Sequence, residues 1–200
     1  MISQWQEEAE QEKDKTPISA RWFLQQARKI LSPDAIIMDE TLTHSRLVHQ
    51  YTGIPGSYFK SAYGGLGVGM GEAAGVKLAN AGRPVVLVTG DGAFNYNPVL
   101  AGLGLYQEYQ IPIIILILNN GGYGAMKLGY QRLYPEGSAV SQNTFLGTDI
   151  TPAPDYIKIA EAFGAHGERL TIPSQIEPAL KRALERLEEG KPTLLDVILT

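Results

Sequence analysis

Four apolar runs punctuate the chain: AIIMD (35–39), PVVLVTGD (84–91), PIIILILNN (112–120) and PTLLDVILT (192–200). Each is rich in β-branched residues, and three begin at a proline. Strands that are apolar throughout, rather than at alternate positions, are buried on both faces, as in parallel sheets. Between them lie segments of helical character, at 66–82, about 98–109, 155–163 and 174–189. The last, SQIEPALKRALERLEE, places Ile176, Leu180, Leu184 and Leu187 on one face and charges on the other. HGERL (166–170) is a candidate for a further strand. Strands alternating with helices predict an α/β domain: a three-layer α/β/α, doubly wound, mainly parallel sheet.

The first helix of this domain is expected to open at Thr16-Pro17, an N-cap followed by a residue suited to the first helical position. Along ISARWFLQQARKIL it carries Trp22, Phe23, Ala27, Ile30 and Leu31 near one face, and Ser32-Pro33 ends it. Residues 1–15 are polar and acidic and read as a solvated tail or linker remnant, leaving 16–200 as one domain. Residues 127–155 hold Pro135, Gly137, Gly147, Pro152 and Pro154 and are less regular, as in a binding loop or lid.

Composition narrows the function classes. With 200 residues, 44% of them hydrophobic and 19% charged, the chain can bury a core and does not match disordered compositions. The formal charge of −4 argues against nucleic acid as a partner. The longest apolar stretch, Ile111 to Leu118, is too short to cross a bilayer, so no membrane role is expected. The N-terminus lacks the apolar centre of a signal peptide, and the expected location is cytoplasmic. There is no cysteine, which excludes disulfides, thiolate metal sites and cysteine nucleophiles. Glycine is the outlier, with 22 residues.

Ligands of open α/β sheets bind beyond the carboxyl ends of the strands. There the sequence sets Gly90-Asp91-Gly92, Asn119-Asn120-Gly121-Gly122 and Asp39-Glu40-Thr41. Asp91 and Asn119 are 28 residues apart, the length of one strand–helix–strand unit, so the two motifs end successive parallel strands. One carboxylate and neutral asparagine or backbone oxygens form a poor calcium cage. They suit magnesium, which completes its octahedron with water and phosphate oxygens. Glycines admit backbone N–H groups close to phosphate, and a helix N-terminus favours the anion. The residue chemistry predicts a magnesium–diphosphate site. A loose dinucleotide pattern at Gly69–Ala74 is weaker, because no apolar strand immediately precedes it. His44, His49 and His166 fit no metal spacing, though His44 lies near the proposed diphosphate loop.

The segment GDGAFNYNPVLAGLGLYQEYQIPIIILILNN resembles the GDG…NN signature of thiamine-diphosphate enzymes. The likeness extends upstream through MDETLTHSRLVHQYTGIPGSYFKSAYGGLGVGMGEAAGVKLA and downstream through NNGGYGAMK, covering about residues 16–200. This stretch looks like the C-terminal diphosphate-binding domain of benzoylformate decarboxylase and acetolactate synthase relatives. By that resemblance Asp91, the Asn120 side chain and the Gly122 carbonyl would hold Mg2+, with Asn119 serving the loop. Gly90, Gly92, Ala93 and Thr43 would meet the diphosphate of thiamine diphosphate. Gly64, Gly65 and Leu66 would meet its aminopyrimidine, with Leu66 holding the cofactor bent, and Tyr123, Gly124, Ala125 and Met126 would face cofactor or substrate. No catalytic side chain is assigned. Relatives activate the cofactor with a glutamate of a pyrimidine-binding domain, and nothing in these residues matches that domain; Glu40 and Glu72 stand on the wrong segments. The resemblance therefore implies half of a 2-oxo-acid decarboxylase or carboligase, inactive as an isolated chain. It would assemble as a homo- or hetero-oligomer with a pyrimidine-binding partner subunit or with a missing N-terminal part. The alternative is a non-catalytic cofactor-binding remnant or assembly module.

Overall fold

The computed structural model describes residues 2–61 and 65–199. Its centre is a parallel sheet of six strands: β1 (Ile36–Glu40), β2 (Tyr58–Lys60), β3 (Val85–Gly90), β4 (Ile114–Asn119), β5 (His166–Leu170) and β6 (Thr193–Ile198). They lie in the order β2-β1-β3-β4-β6-β5, and every pairing is parallel. The order follows from composition. The four strands dominated by Val, Ile and Leu hold the middle, buried almost throughout even at Asp39, Glu40 and Asp196, while Tyr58-Phe59-Lys60 and His166–Leu170, which are largely solvent-accessible, take the edges. The sheet thus has the doubly wound α/β architecture that the apolar runs predict. β2 is the strand that the runs do not announce.

Helices cover both faces. On one side lie α2 (Ala20–Ile30), α3 (Ser45–Thr52) and α10 (Ile176–Glu188); on the other lie α4 (Gly69–Ala79), α5 (Asp91–Tyr96), α6 (Val99–Glu108) and α9 (Tyr156–Glu161). Successive residues of a strand point to opposite faces. Val86, Val88, Ile114 and Leu116 therefore pack with Phe23, Leu24, Val48 and Leu180, while Val85, Leu87, Ile113 and Ile115 pack with Met70, Phe94, Leu103 and Tyr106. Each fully buried Leu, Ile or Val contributes about 1.5–3 kcal/mol of transfer free energy. A central strand buried on both sides carries twice the anchors of a strand with one wet face.

Two local starts differ from the sequence reading. The first domain helix opens at Ala20, not at Thr16-Pro17. Ile18 is extended and donates its N–H to the Ile198 carbonyl (3.0 Å), and Ser19, with β-region backbone, accepts from the Trp22 N–H (3.4 Å) as the true N-cap. The pull of the sheet on Ile18 moves the start by one turn. The N-terminal segment expected as a polar tail forms α1 (Ile2–Glu10), which docks on α2. Its anchors are polar: Tyr51 Oη donates to the Trp5 carbonyl (2.7 Å), Gln25 Nε2 to the Gln6 carbonyl (3.3 Å), and Arg21 pairs with Glu8 (2.9 Å). Ala9 supplies a small apolar contact at 0% exposure. The irregular stretch after Tyr123 holds α7 (Gly124–Leu133), none of whose side chains is buried, and the short α8 (Ser138–Ser141).

Candidate cofactor site

The chain leaves β1 toward β2 on one side and returns to β3 on the other, so the winding direction reverses between β1 and β3. Crevices form at such switch points beyond the strand carboxyl ends. The register aligns three of those ends, with Glu40 opposite Thr89 and Gly90 opposite Leu118. A cavity of ≈ 80 Å³ opens there.

Its walls come from four loops. The β1 end contributes Thr41, Leu42, Thr43 and His44, and the segment before α4 contributes Leu66. The β3 end contributes Gly90, Asp91, Gly92 and Ala93. The β4 end contributes Asn120, Gly122 and Tyr123, followed by Gly124, Ala125 and Met126 of α7. Of the residues singled out in the sequence, Gly65 is exposed and borders a separate shallow depression beside Lys60 and Ser61. Gly64 lies outside the described residues. His44, which the sequence reading placed near the proposed diphosphate loop without giving it a role, is half-buried on this wall.

Asp91 opens α5 at the floor and is 2% exposed. Burial pushes its carboxyl up from the usual carboxylate range, and the backbone N–H groups of Gly92, Asp91, Asn120 and Gly122 draw it part of the way back. Its Oδ2 is buried and has no hydrogen-bond partner. A desolvated anionic oxygen without a partner is costly, and a cation is the group that would satisfy it. Across the floor, among the described residues, Asn120 Oδ1 accepts only the Gly122 N–H (3.2 Å), and the Gly122 carbonyl accepts only the Gly124 N–H (3.1 Å). Each retains a lone pair. One carboxylate and two neutral oxygens match the sparse protein ligand set of Mg2+. Among the described residues there is no group of three His, Asp or Glu side chains able to hold a metal. An ion here needs oxygens from its ligand as well, which couples metal binding to an anionic partner.

The floor is built for close approach. A Cβ at Gly92 would meet Tyr123 Cε1 at 2.6 Å, and one at Gly124 would meet Asn120 Nδ2 at 2.9 Å and Thr43 Oγ1 at 3.2 Å. Tyr123 closes one side, edge-on to Tyr96 with ring centroids 6.0 Å apart. Asn119 faces away from the cavity: its Oδ1 accepts the Gly121 N–H (3.0 Å) and its Nδ2 donates to Asp196. It serves the loop, as its place at the strand end implies.

Two buried carboxylates brace the surroundings. Asp39 accepts from the Thr41 N–H (2.7 Å), Thr41 Oγ1 (2.6 Å), Ser45 Oγ (2.9 Å) and Tyr58 Oη (2.7 Å), which fixes the Thr41–His44 loop. Glu40 Oε1 accepts three backbone N–H groups at the start of α4, from Gly67 (2.7 Å), Val68 (2.8 Å) and Gly69 (3.0 Å). Its Oε2 takes Thr89 Oγ1 (3.1 Å) and Asn97 Nδ2 (2.7 Å). Glu40 is fully engaged as a helix cap, consistent with its exclusion as a catalytic acid. No local pattern marks that job, because its partners are 27 to 57 residues away.

Comparison with known proteins places this geometry. The family described as "Thiamine pyrophosphate enzyme, C-terminal TPP binding domain" matches residues 42–197. Benzoylformate decarboxylase of Pseudomonas aeruginosa is 34% identical over 143 residues, covering 72% of this chain and 25% of the relative. A probable acetolactate synthase of Mycobacterium bovis is 29% identical over 197 residues, covering 96% of this chain and 33% of the relative. The solved thiamine diphosphate-dependent 4-hydroxybenzoylformate decarboxylase of Rhodococcus jostii RHA1 superposes with a TM-score of 0.80 at 30% identity, over 93% of this chain and 33% of its own. The chain thus spans a quarter to a third of the length of these relatives. By its strand-end cavity and by this match, the chain belongs to the thiamine pyrophosphate enzyme family, as a C-terminal TPP-binding domain.

Proposed function

We propose that this chain binds thiamine diphosphate through Mg2+ and forms the diphosphate-binding half of a 2-oxo-acid decarboxylase or acetolactate-synthase-like carboligase. The observation that carries the reading is the unpartnered Oδ2 of Asp91, buried opposite the free lone pairs of Asn120 and Gly122. In this reading Asp91 Oδ2, Asn120 Oδ1 and the Gly122 carbonyl hold the ion. Gly90, Gly92, Ala93 and Thr43 receive the diphosphate, helped by the N-terminal N–H groups of α5 and α7. Leu66, Tyr123, Gly124, Ala125 and Met126 shape the wall against the organic part. When bound, the cofactor supplies a thiazolium carbon that attacks a 2-oxo acid and stores the electron pair released with CO2. The chain's own task is to anchor and orient it and to keep water from the ion.

The second half comes from elsewhere. The cavity is ≈ 80 Å³, against about 300–1,000 Å³ for a pocket that encloses an organic ligand. Its mouth is apolar and open, with Met126 56% and Leu42 47% exposed. Among the described residues, the titratable side chains on its wall apart from Asp91 are His44 and Tyr123, so none of them offers a second carboxylate to exchange a proton with the cofactor's pyrimidine ring. A pyrimidine-binding domain, on a partner subunit or in a longer form of the protein, supplies that group and the missing wall in an oligomer. Isothermal titration of thiamine diphosphate with Mg2+ and with EDTA tests the first part. Saturable binding only with the divalent ion is expected, and metal-independent or absent binding refutes it. Steady turnover of pyruvate or benzoylformate by the isolated chain would refute the second part.

A further inference from the structure

The adjacent asparagines at the end of β4 do different work. Asn120 borders the cavity, whereas Asn119 is turned into the protein. Asn119 Nδ2 donates to Asp196 Oδ1 (2.8 Å), and Asn119 Oδ1 accepts the Gly121 N–H (3.0 Å). Asp196 is on β6, opposite Ile117 of β4, and is 0% exposed. Its other oxygen accepts Arg169 Nε (2.8 Å). The Arg169 side chain, on β5, reaches solvent, and a second arm of its guanidinium is 3.9 Å from Asp155. A continuous hydrogen-bonded chain thus runs from the surface through a buried anion to Gly121, the residue between Asn120 and Gly122.

An asparagine amide can lie either way round, and its two ends have opposite hydrogen-bonding character. An ionised carboxylate only accepts. Asp196 therefore forces Nδ2 of Asn119 toward itself and leaves Oδ1 for Gly121. A protonated or neutral group at 196 would impose no such choice. Gly121 stands at φ +74°, a conformation that a side-chain acceptor two residues back can hold. We propose that Asp196, held in place by Arg169, is a positioning residue for the metal loop. It fixes the Asn119 amide, which fixes Gly121, which keeps Asn120 and Gly122 aimed at Asp91. This rests on the reading of that loop as the Mg2+ site.

The test uses Asp196→Asn, which preserves shape and removes the acceptor-only character, with Arg169→Ala as a surface variant of the same chain and Arg169→Lys as the charge-retaining control. Two readouts are taken. Amide hydrogen exchange at Gly121, by NMR without ligand, should accelerate tenfold or more in Asp196→Asn, while amides of α2 keep their rates. Titration of Mg2+ into protein with excess thiamine diphosphate should show affinity weakened by about tenfold, as for other outer partners of metal ligands. Arg169→Ala should move both readouts the same way, and Arg169→Lys should stay within twofold of wild type. Unchanged Gly121 exchange and unchanged Mg2+ affinity in Asp196→Asn overturn the proposal; if that variant does not fold, unchanged values in Arg169→Ala do so. A wild-type chain that binds no thiamine diphosphate sinks the cofactor reading instead, and Gly121 exchange then still decides whether Asp196 orders the loop.

Discussion

Asp91→Asn separates what this carboxylate does for binding from what it costs the fold. Without ligand, its Oδ2 is buried and unpartnered, and burial raises its pKa. A carboxyl whose pKa is higher folded than unfolded destabilises the fold at every pH where it is ionised. Removing the charge should leave the ligand-free melting temperature at pH 7 unchanged or higher. With ligand the sign reverses. Wild-type protein at 100 times the dissociation constant of the Mg2+–thiamine diphosphate pair gains about 2.7 kcal/mol by mass action. For a chain of this size each kcal/mol is worth about 2–4 °C, so ligand should raise the midpoint by about 5–11 °C. Loss of the one anionic ligand should weaken binding at least as much as loss of an outer partner, about 100-fold at the upper end. At the same ligand concentration the gain then falls to about 0.4 kcal/mol, or 1–2 °C. Thermal melts of both proteins, with and without ligand, measure all four quantities. A full ligand shift in Asp91→Asn, or a ligand-free midpoint several degrees below wild type, would refute the reasoning.

Glu40→Gln keeps the shape but sets an NH2 group against either three backbone donors or two side-chain donors. A loss of about 3 kcal/mol is expected, or about 6–12 °C in melting temperature, and a change under 2 °C would show that α4 does not depend on this cap. Gly92→Ala puts a methyl group 2.6 Å from the Tyr123 ring, which must leave the floor. The fold should survive at a cost of about 1–3 kcal/mol while titration shows at least a tenfold weaker Mg2+–thiamine diphosphate complex; affinity within twofold would remove this contact from the site. Burial holds the His44 imidazole below its ordinary value of about 6.5, so folding favours the neutral ring. Stability then rises with pH up to the unfolded pKa and is level above it. His44→Gln should flatten the dependence of the ligand-free melting temperature between pH 5 and 7, and an unchanged slope would count against it.

The four central strands could be read from the chain because burial on both faces makes each a run dominated by Val, Ile and Leu, in which the few polar residues do not create an alternating pattern. β2 could not, since Tyr58-Phe59-Lys60 is three residues long and half-exposed at an edge. α1 escaped because its fastening uses main-chain carbonyls and a Glu8–Arg21 pair instead of an apolar stripe. The shift of the first helix start to Ala20 depends on Ile18 meeting Ile198, a contact 180 residues distant that no cap rule can foresee. That Asp91 and Asn120 meet at one cavity was legible because each follows an apolar run at the spacing of one crossover. Residues whose work is done through partners far along the chain were not: Glu40 read only as an acid on the wrong segment, and Asp196 was passed over inside an apolar run, although each completes its hydrogen bonds 27 to 77 residues away.

The glycines that crowd Tyr123 and Thr43 make the cavity floor largely a main-chain surface. Peptide groups offer the same donors and acceptors whatever side chains surround them. On the proposed reading, changes confined to the oily rim around Leu42, Leu66 and Met126 leave the grip on a phosphorylated tail intact, so that rim is free to vary. Two such domains with identical grips could serve different carbonyl compounds, and the choice between those compounds would be written at the rim.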